Sequence, residues 1–151
     1  MASARRQPQK RFRPGRWLEF QLELHDSCVV SIQTKRVYEK PAKTDGTRFL
    51  VERLWPRGVK KASLRMDGWF KEIAPSDELR RWFGHDPAKW KEFERRYRVE
   101  LDAQPDAWQP LLEVARRGDV TLLYSAHDTE HNNAVVLKAY ILARLAPRKS
   151  R

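Results

Sequence analysis

The sequence predicts an α/β domain built on a mainly parallel sheet with helices on both faces. Strand-like and helix-like segments alternate along the chain, as they do where crossover helices join parallel strands. The segment Val120–Tyr124 is an almost unbroken apolar run, which is typical of a strand covered on both faces. The length of 151 residues suits one domain of ordinary size.

The first half of the chain contains the other predicted strands. Residues 31–37 alternate polar and apolar side chains with period two and predict a first strand. An Asp-Gly pair within residues 43–47 predicts a turn, because glycine adopts positive φ at little cost. Residues 48–55 predict a second strand, which should end at Pro56 because proline lacks the N–H that a ladder needs. Residues 67–74 fit either a short strand or an irregular segment.

Helix boundaries are marked more clearly. Ser76 is a predicted N-cap and Gly84 a predicted end for one helix, and Asp86-Pro87 predicts the start of the next. Three stripes of apolar residues at helical spacing predict amphipathic helices. The stripes are Trp90, Phe93, Tyr97 and Leu101; Trp108, Leu111, Leu112 and Ala115; and Ala134, Leu137, Ile141 and Leu145. We expect the helix of the middle stripe to begin near Pro110.

Composition and charge exclude several classes of protein. A single cysteine excludes an internal disulfide and a cysteine-based zinc cluster. No run approaches the ~18–20 consecutive apolar residues of a membrane span, so we expect no membrane association. The net charge is +11, but residues 1–30 and 148–151 carry +3 each, which leaves +5 for residues 31–147. Much of the basicity is therefore terminal, which weakens it as evidence for a nucleic-acid surface on the fold.

We expect residues 1–30 to form a disordered basic extension before a folded domain at 31–147 and a basic tail at 148–151. Up to Arg16 the chain has six basic residues, no acidic one and hardly a core residue. Such a stretch cannot bury enough apolar surface to offset the entropy of ordering. A solvated tail is the favoured interpretation. The alternatives are a transit peptide, an arm that binds nucleic acid, or upstream sequence read in frame before a true start near Val30.

Two polar loops follow predicted strands, the position where ligands bind in open α/β sheets. In the first loop, residues 53–58, Arg53 and Arg57 lie four residues apart with Trp55 between them. Two guanidinium groups in a turn shaped by proline and glycine can bind a planar anion in bidentate fashion. The alternative is that Trp55 belongs to the core and Arg57 pairs with a surface acid.

The second loop, residues 125–133, joins the buried strand to the last helix, and eight of its nine residues are polar. Backbone N–H groups at a helix start favour an anion. The alternative is simple helix capping around Asp128, which needs one polar residue rather than eight. The predicted ligand-binding residues are Arg53, Trp55, Arg57, Ser125, His131, Asn132 and Asn133, and the predicted catalytic residues are Asp128 and His127.

A metal site is also conceivable, because His127 and His131 lie four residues apart near Asp128 or Asp86. We predict none, since His127 should precede the helix and the HExxH pattern is absent. The sequence also lacks a serine-nucleophile motif, a dinucleotide-binding glycine motif and a P-loop. Enzymatic activity and cofactor therefore both stay open.

Five stretches resemble, in order, the YeaO-like family (domain of unknown function 488). They are Ile32–Glu39, Phe49–Gly58, Lys71–Ser76, Leu79–Phe83 and Leu122–Ala126. The resemblance covers nearly the whole predicted fold. It implies a single compact Rossmann-like three-layer domain, with a mainly parallel sheet and helices on both faces, from bacteria or archaea. The resemblance implies no established activity.

Both loops depart from the family's pattern at one position. The family's V-D-R-L-W-P-R-G loop corresponds to Val51–Gly58, with Glu52 where aspartate is usual. The charge is kept but the arm is longer, so the resemblance implies no close-fitting role for this carboxylate. The pattern Y-[AS]-A-K-[DN], followed by an asparagine-rich helix start, corresponds to Tyr124–Asn133. Here His127 replaces the common lysine, and an imidazole titrates near pH 6.5.

Three functions fit these features. The favoured one is binding of a phosphate- or nucleotide-like small molecule by both loops, with or without catalysis. The second is a nucleic-acid-associated module, indicated by the basic tail and by the pairs Arg80-Arg81, Arg95-Arg96 and Arg116-Arg117, although such pairs are more often solvated helix faces. The third is a partner-binding or structural module without chemistry, with contacts through Trp82 or Phe83. We expect a cytoplasmic protein and leave the oligomeric state open.

Overall fold

The structure, a computed structural model, describes residues 31–146. In that range the strands are β1 (Ile32–Arg36), β2 (Thr47–Leu50), β3 (Gly68–Trp69) and β4 (Val120–Tyr124), and the α-helices are α1 (Asp77–Phe83), α2 (Trp90–Ala103), α3 (Pro105–Arg117) and α4 (Asn133–Leu145). Short 3-10 turns lie at Lys43–Asp45 and Pro87–Lys89. The expectations for residues 1–30 and 148–151 lie outside the described residues and stay predictions.

The four strands form one sheet in the order β1-β4-β2-β3, and every neighbouring pair is parallel. β4 lies between β1 and β2, and all five of its residues are buried. In the register of the sheet, Leu122 of β4 lies between Thr34 of β1 and Phe49 of β2. The predicted α/β class and parallel sheet are confirmed.

Two cores lie on opposite faces of the sheet, because successive side chains of a strand point to opposite sides. On one face, Leu122 and Tyr124 join apolar residues from all four α-helices in the main core. On the other face, Leu50 and Leu123 pack with Leu64 in a smaller core. The sheet is therefore the middle layer of three.

Helices were predicted on both faces of the sheet, but among residues 31–146 the α-helices lie on one face only. The connections 37–46 and 51–67 cover the other face, and the helical turn at Lys43–Asp45 is of the 3-10 type. The first of these connections has about ten residues, fewer than the dozen or more that a helical crossover usually takes. The chain therefore crosses the second face without an α-helix.

Three element boundaries also differ from the sequence predictions. β2 ends at Leu50 rather than near Trp55, because the residues beyond it bond to the loop after β4. Residues 67–74 contain only the two-residue strand β3. α3 begins at Pro105 rather than near Pro110, since proline fits the first helical position, where its missing N–H costs nothing.

The predicted caps and the Asp-Gly turn are confirmed. Ser76 Oγ accepts the N–H of Leu79 at 3.1 Å, and Gly84 ends α1 in the left-handed region at φ 53°. Gly46 has φ 67°, and a Cβ at this position would lie 2.2 Å from the carbonyl oxygen of Asp119. Glycine is therefore the residue that this turn requires.

A buried carboxylate ties the Lys43–Asp45 turn to the sheet. Asp45 is 1% exposed, and its side chain accepts hydrogen bonds from Lys35 at 3.0 Å, from the N–H of Ala42 at 3.0 Å and from Arg48. Burial alone would raise the pKa of Asp45, but these three donors together hold it below its usual value. The ion pairs therefore depend on Asp45 being ionised.

Replacing Asp45 should strongly destabilise the fold. The substitution Asp45→Asn leaves Lys35 and Arg48 without a counter-charge, and breaking a buried pair in this way costs about 3–5 kcal/mol of unfolding free energy. Urea unfolding at pH 7 measures this loss. The contribution of Asp45 should also fade as the pH falls through its lowered pKa, because the carboxyl is then neutral in both states.

Asp106→Asn is the matched control, since Asp106 is exposed in the first turn of α3 and should contribute at most about 1 kcal/mol. Equal losses in the two variants would contradict the role assigned to Asp45.

Candidate functional site

The two polar loops meet at the carboxyl edge of the sheet around a cavity of about 680 Å³. This volume lies in the range of small-molecule sites. They meet because β2 and β4 are parallel neighbours, so that their carboxyl ends lie side by side. The lining residues are Glu52–Arg57, Ala74, Pro75, Arg80, Arg81, Phe83–His85, Phe93, Ser125–Asp128, Asn132 and Asn133.

Side-chain hydrogen bonds join the two loops beyond the end of the strands. The N–H of Val51 donates to the carbonyl of Leu123 at 3.1 Å, which is the last backbone bond between β2 and the β4 segment. Asn133 Nδ2 then donates to the carbonyl of Val51 at 2.7 Å, and the N–H of Ser125 donates to Glu52 Oε2 at 3.1 Å. The two loops therefore share one rigid frame.

Two arginines hold the rim of the cavity by binding backbone carbonyls. Arg53 donates to Pro75 at 3.1 Å through Nε and to Ala74 at 2.9 Å through Nη2. Arg36, from the end of β1, donates to Ala126 at 2.8 Å and to Ser125 at 3.2 Å in the same manner. Arg53 does line the cavity, but two of its donors are occupied by the frame.

The remaining arginines of the cavity have donors to offer. Arg57 and Arg81 are exposed, and neither guanidinium makes a hydrogen bond or ion pair with residues 31–146. Arg80 donates to Asp77 at 2.8 Å through Nη2, while its buried Nε has no partner among the described residues. Of the four arginines that line the cavity, Arg80 pairs with Asp77 and Arg53 lies 3.7 Å from Glu72. The positive charges left without a counter-charge among residues 31–146 are those of Arg57 and Arg81, and they favour an anion.

Asp128 organises the start of the second loop. Its Oδ1 accepts the N–H of Glu130 at 2.9 Å and that of His131 at 3.0 Å, and its Oδ2 lies 2.9 Å from His131 Nδ1. The hydrogen bond from Glu130, followed by those from His131, lowers the pKa of Asp128. Both oxygens of this predicted catalytic residue are therefore engaged within the loop.

His131 is the one predicted ligand-binding residue that the structure leaves outside the cavity. Its ring stands edge-on to Trp90, with 5.0 Å between the ring centroids, and is fixed on its other side by Asp128. The spacing of His127 and His131 therefore does not bring them to one face. In the described part of the chain, no three histidine, cysteine, aspartate or glutamate side chains are grouped to hold a metal ion.

The other predicted residues of the second loop line the cavity. Asn132, 2% exposed, caps α4: its Oδ1 accepts the N–H of Val135 at 3.1 Å, and its Nδ2 donates to the carbonyl of Asp128 at 2.9 Å. The capping role considered for Asp128 thus belongs to Asn132. Ser125 is partly buried and His127 is exposed at the mouth.

Trp55 touches the cavity but belongs mainly to the smaller core. Its ring packs edge-on against Trp69 at 5.3 Å between centroids, and its Nε1 donates to the carbonyl of Val59 at 2.6 Å. This arrangement matches the structural alternative for Trp55. The alternative for Arg57 was an ion pair with a surface acid, but no acidic side chain among residues 31–146 pairs with Arg57.

Sequence reasoning missed the contribution of α1 and the turn that follows it. Arg80 and Arg81 line the cavity from α1, and His85 lines it from the turn. His85 has φ 57°, which is uncommon for a residue other than glycine. This conformation marks a constrained position, and the sequence alone does not indicate it. Phe83, considered above for a contact patch, is 4% exposed and forms the floor with Phe93.

The other arginine pairs lie on solvated helix faces. Arg95 and Arg96 both bond to Glu92 within α2, and Arg116 bonds to Glu113 within α3. Arg95, Arg96 and Arg116 therefore have counter-charges on their own helices. In the described range, no helix combines the length and apolar character that crossing a bilayer requires.

Glu52 is the most unusual group in the cavity. It is partly buried, and burial raises the pKa of its carboxyl, against a smaller lowering by the N–H of Ser125 and by the charge of Arg80. Its residue type alone does not indicate this, but its position directly before the first loop does. Glu52 thus belongs to the site, although the predicted set of residues did not include it.

Comparison of the sequence with known proteins identifies the family. Residues 31–151 match the family model described as the inactive DUF488-N3 subclade. The uncharacterised protein YeaO of Escherichia coli (strain K12) is 43% identical over 112 residues, 74% of this chain and 97% of the relative. The uncharacterised protein Rv3073c of Mycobacterium tuberculosis (strain ATCC 25618 / H37Rv) is 36% identical over 113 residues, 75% of this chain and 95% of the relative. No solved structure matches the chain.

Removing the charge of Glu52 should stabilise the fold at neutral pH. Because the folded-state pKa of Glu52 is raised, ionisation costs more in the folded than in the unfolded protein, so stability is lost as the pH rises through that pKa. In Glu52→Gln the amide oxygen can still accept the N–H of Ser125. We expect a higher melting temperature than wild type at pH 7.5 and a shrinking difference toward pH 4.

Glu130→Gln makes the same chemical change at an exposed position outside the cavity and should leave the melting temperature unchanged at both pH values. A Glu52→Gln variant that melts below wild type at pH 7.5 would contradict the unfavourable burial of this charge.

Proposed function

This chain belongs to the YeaO-like DUF488 family, and we propose that it is a binding domain for a small phosphate- or nucleotide-like anion. The observation that carries the proposal is the convergence of Arg57 and Arg81 on one cavity from two different segments. Both guanidinium groups are exposed there and have no partner within residues 31–146. Planar forks of this kind suit phosphate and carboxylate groups.

The lining of the cavity supports a ligand with both an organic part and an anionic part. Phe83 and Phe93 stack at 4.3 Å between centroids at its floor, beside Ala74 and Pro75. The arginines lie on α1 and on the first loop around this apolar floor. An organic phosphate such as a nucleotide suits this combination better than an inorganic ion does. We infer that a protein with such a ligand acts in the cytoplasm.

The site supports binding more strongly than catalysis. Asp128, the predicted acid or base, has both oxygens engaged, and its lowered pKa keeps it ionised. Ser125 has no hydrogen bond from its hydroxyl to a base among the described residues, as a nucleophile would need. The matching family model is itself described as an inactive subclade. In this proposal His127 lies at the mouth of the cavity as a contact residue and transfers no proton.

One observation supports nucleic-acid binding as a second candidate. Residues 57–66 carry Arg57, Lys60, Lys61 and Arg65, all exposed, and no acidic residue. This basic loop begins at the cavity, since Arg57 belongs to both. A phosphodiester backbone could lie along it, with affinity that falls steeply as salt is added.

Isothermal titration with adenosine monophosphate tests the proposal. Arg57→Ala and Arg81→Ala should each weaken binding about tenfold or more, because a hydrogen bond to a charged group contributes roughly 1.5–3 kcal/mol. Arg116→Ala is the matched control, since Arg116 pairs with Glu113 on a solvated helix face and should bind as wild type does.

Absence of binding by wild type to the nucleotide and to inorganic phosphate would contradict the proposal. A 12-nucleotide DNA strand separates the second candidate from the first. Binding lost in a Lys60→Ala, Lys61→Ala double variant and kept in Arg81→Ala would favour the nucleic-acid function.

A further inference from the structure

The cavity contains one feature that a simple anion site would not need. Glu52 places a partly buried carboxylate beside the arginines, and like charges repel a bound anion more strongly at a site removed from water. The backbone does not force this choice, because a neutral glutamine at the same place could accept the N–H of Ser125 equally well. A ligand therefore binds well only if one of its groups interacts favourably with the Glu52 carboxylate.

The geometry leaves one oxygen of Glu52 for such a group. Oε2 accepts the N–H of Ser125 at 3.1 Å, whereas Oε1 has no hydrogen-bond partner among residues 31–146. Arg80 attracts the carboxylate electrostatically, but in the described residues the two do not form an ion pair; Arg80 bonds to Asp77 instead. An ionised carboxylate only accepts hydrogen bonds, so what meets Oε1 must be a donor.

We propose that Glu52 determines specificity by selecting an organic phosphate that carries a hydrogen-bond donor, such as a hydroxyl or amino group, and by disfavouring inorganic phosphate. This inference rests on the proposed anion-binding function and names its ligand class. The phosphate meets Arg57 and Arg81, the organic part covers Phe83 and Phe93, and the donor group satisfies Glu52 Oε1.

Desolvation makes this selection effective. Glu52 Oε1 is not among the buried side-chain atoms that lack a partner in the described residues, so water can reach it before a ligand binds. A ligand that displaces this water without supplying a donor leaves the carboxylate oxygen unpaired, which costs free energy, whereas a ligand with a donor does not. A ligand that lacks the donor therefore binds against both the repulsion and the unpaired acceptor. Sites that hydrogen-bond a substrate group reject analogues lacking that group more strongly than apolar pockets do.

Titration calorimetry with four ligands tests the inference. The ligands are adenosine monophosphate, ribose 5-phosphate, 2′,3′-dideoxyadenosine monophosphate and inorganic phosphate. Wild type should bind adenosine monophosphate at least about tenfold more tightly than inorganic phosphate, as one hydrogen bond to a charged group implies. The dideoxy analogue keeps only the amino donor and ribose 5-phosphate only the hydroxyl donors, so the tighter of the two identifies the group that meets Glu52.

Glu52→Gln is the deciding variant. It should reduce the preference for adenosine monophosphate over inorganic phosphate by about tenfold, the share that one hydrogen bond to a charged group contributes. It should bind inorganic phosphate as tightly as wild type or more tightly, because a like charge has been removed. Glu130→Gln, outside the cavity, should reproduce the wild-type order of affinities. Should Glu52→Gln not fold, Glu52→Asp is the second variant, because it keeps the charge but has a side chain shorter by one methylene. It should weaken the binding of the nucleotide more than the binding of inorganic phosphate.

Two outcomes would overturn the inference, and they can be told apart. If the anions bind wild type but Glu52→Gln changes all affinities by the same factor, the selecting role of Glu52 is wrong and the anion site stands. If none of the four ligands binds wild type, the proposed function fails and the inference fails with it.

Discussion

The junction between β2 and β4 is the constraint on which the candidate site depends. Parallel pairing brings the carboxyl ends of these strands together, and the pairing ends at the bond from Val51 to Leu123. Beyond that point the frame continues through side chains, with Asn133 on the carbonyl of Val51 and Glu52 on the N–H of Ser125. Without these bonds the two loops would follow neighbouring strands but would not form one surface.

Several groups at this junction are held in positions that cost stability. The charge of Glu52 is partly buried, and the Nε of Arg80 is buried without a partner among the described residues. His85 adopts a left-handed conformation that residues other than glycine seldom take. Residues that depart from local structural preferences are concentrated at the sites where proteins bind or react. At the other end of the sheet the charge of Asp45 is paired, although Nη2 of its partner Arg48 is also buried without a partner among the described residues.

The sequence alone predicted the parallel sheet, the caps at Ser76 and Gly84, and the two loops at one edge, because strand burial and capping are local patterns. All the predicted site residues except His131 line the cavity, but the sequence did not show which of their donors are used within the protein. Two donors of Arg53, for example, are bonded to backbone carbonyls, and such contacts carry no signal in the sequence. Arg80 and Arg81 were interpreted as a surface pair, because the packing of α1 on α2 that brings them to the cavity is a tertiary contact.

In the proposed function, both loops and the end of α1 form one anion site. Adding adenosine monophosphate to ¹⁵N-labelled protein while recording amide resonances tests whether they do. If they bind the nucleotide together, the resonances of residues 52–57, 80–85 and 125–133 shift saturably with a single dissociation constant. Shifts confined to residues 58–66 of the basic loop, or different dissociation constants for the two loops, would show that they do not form one site.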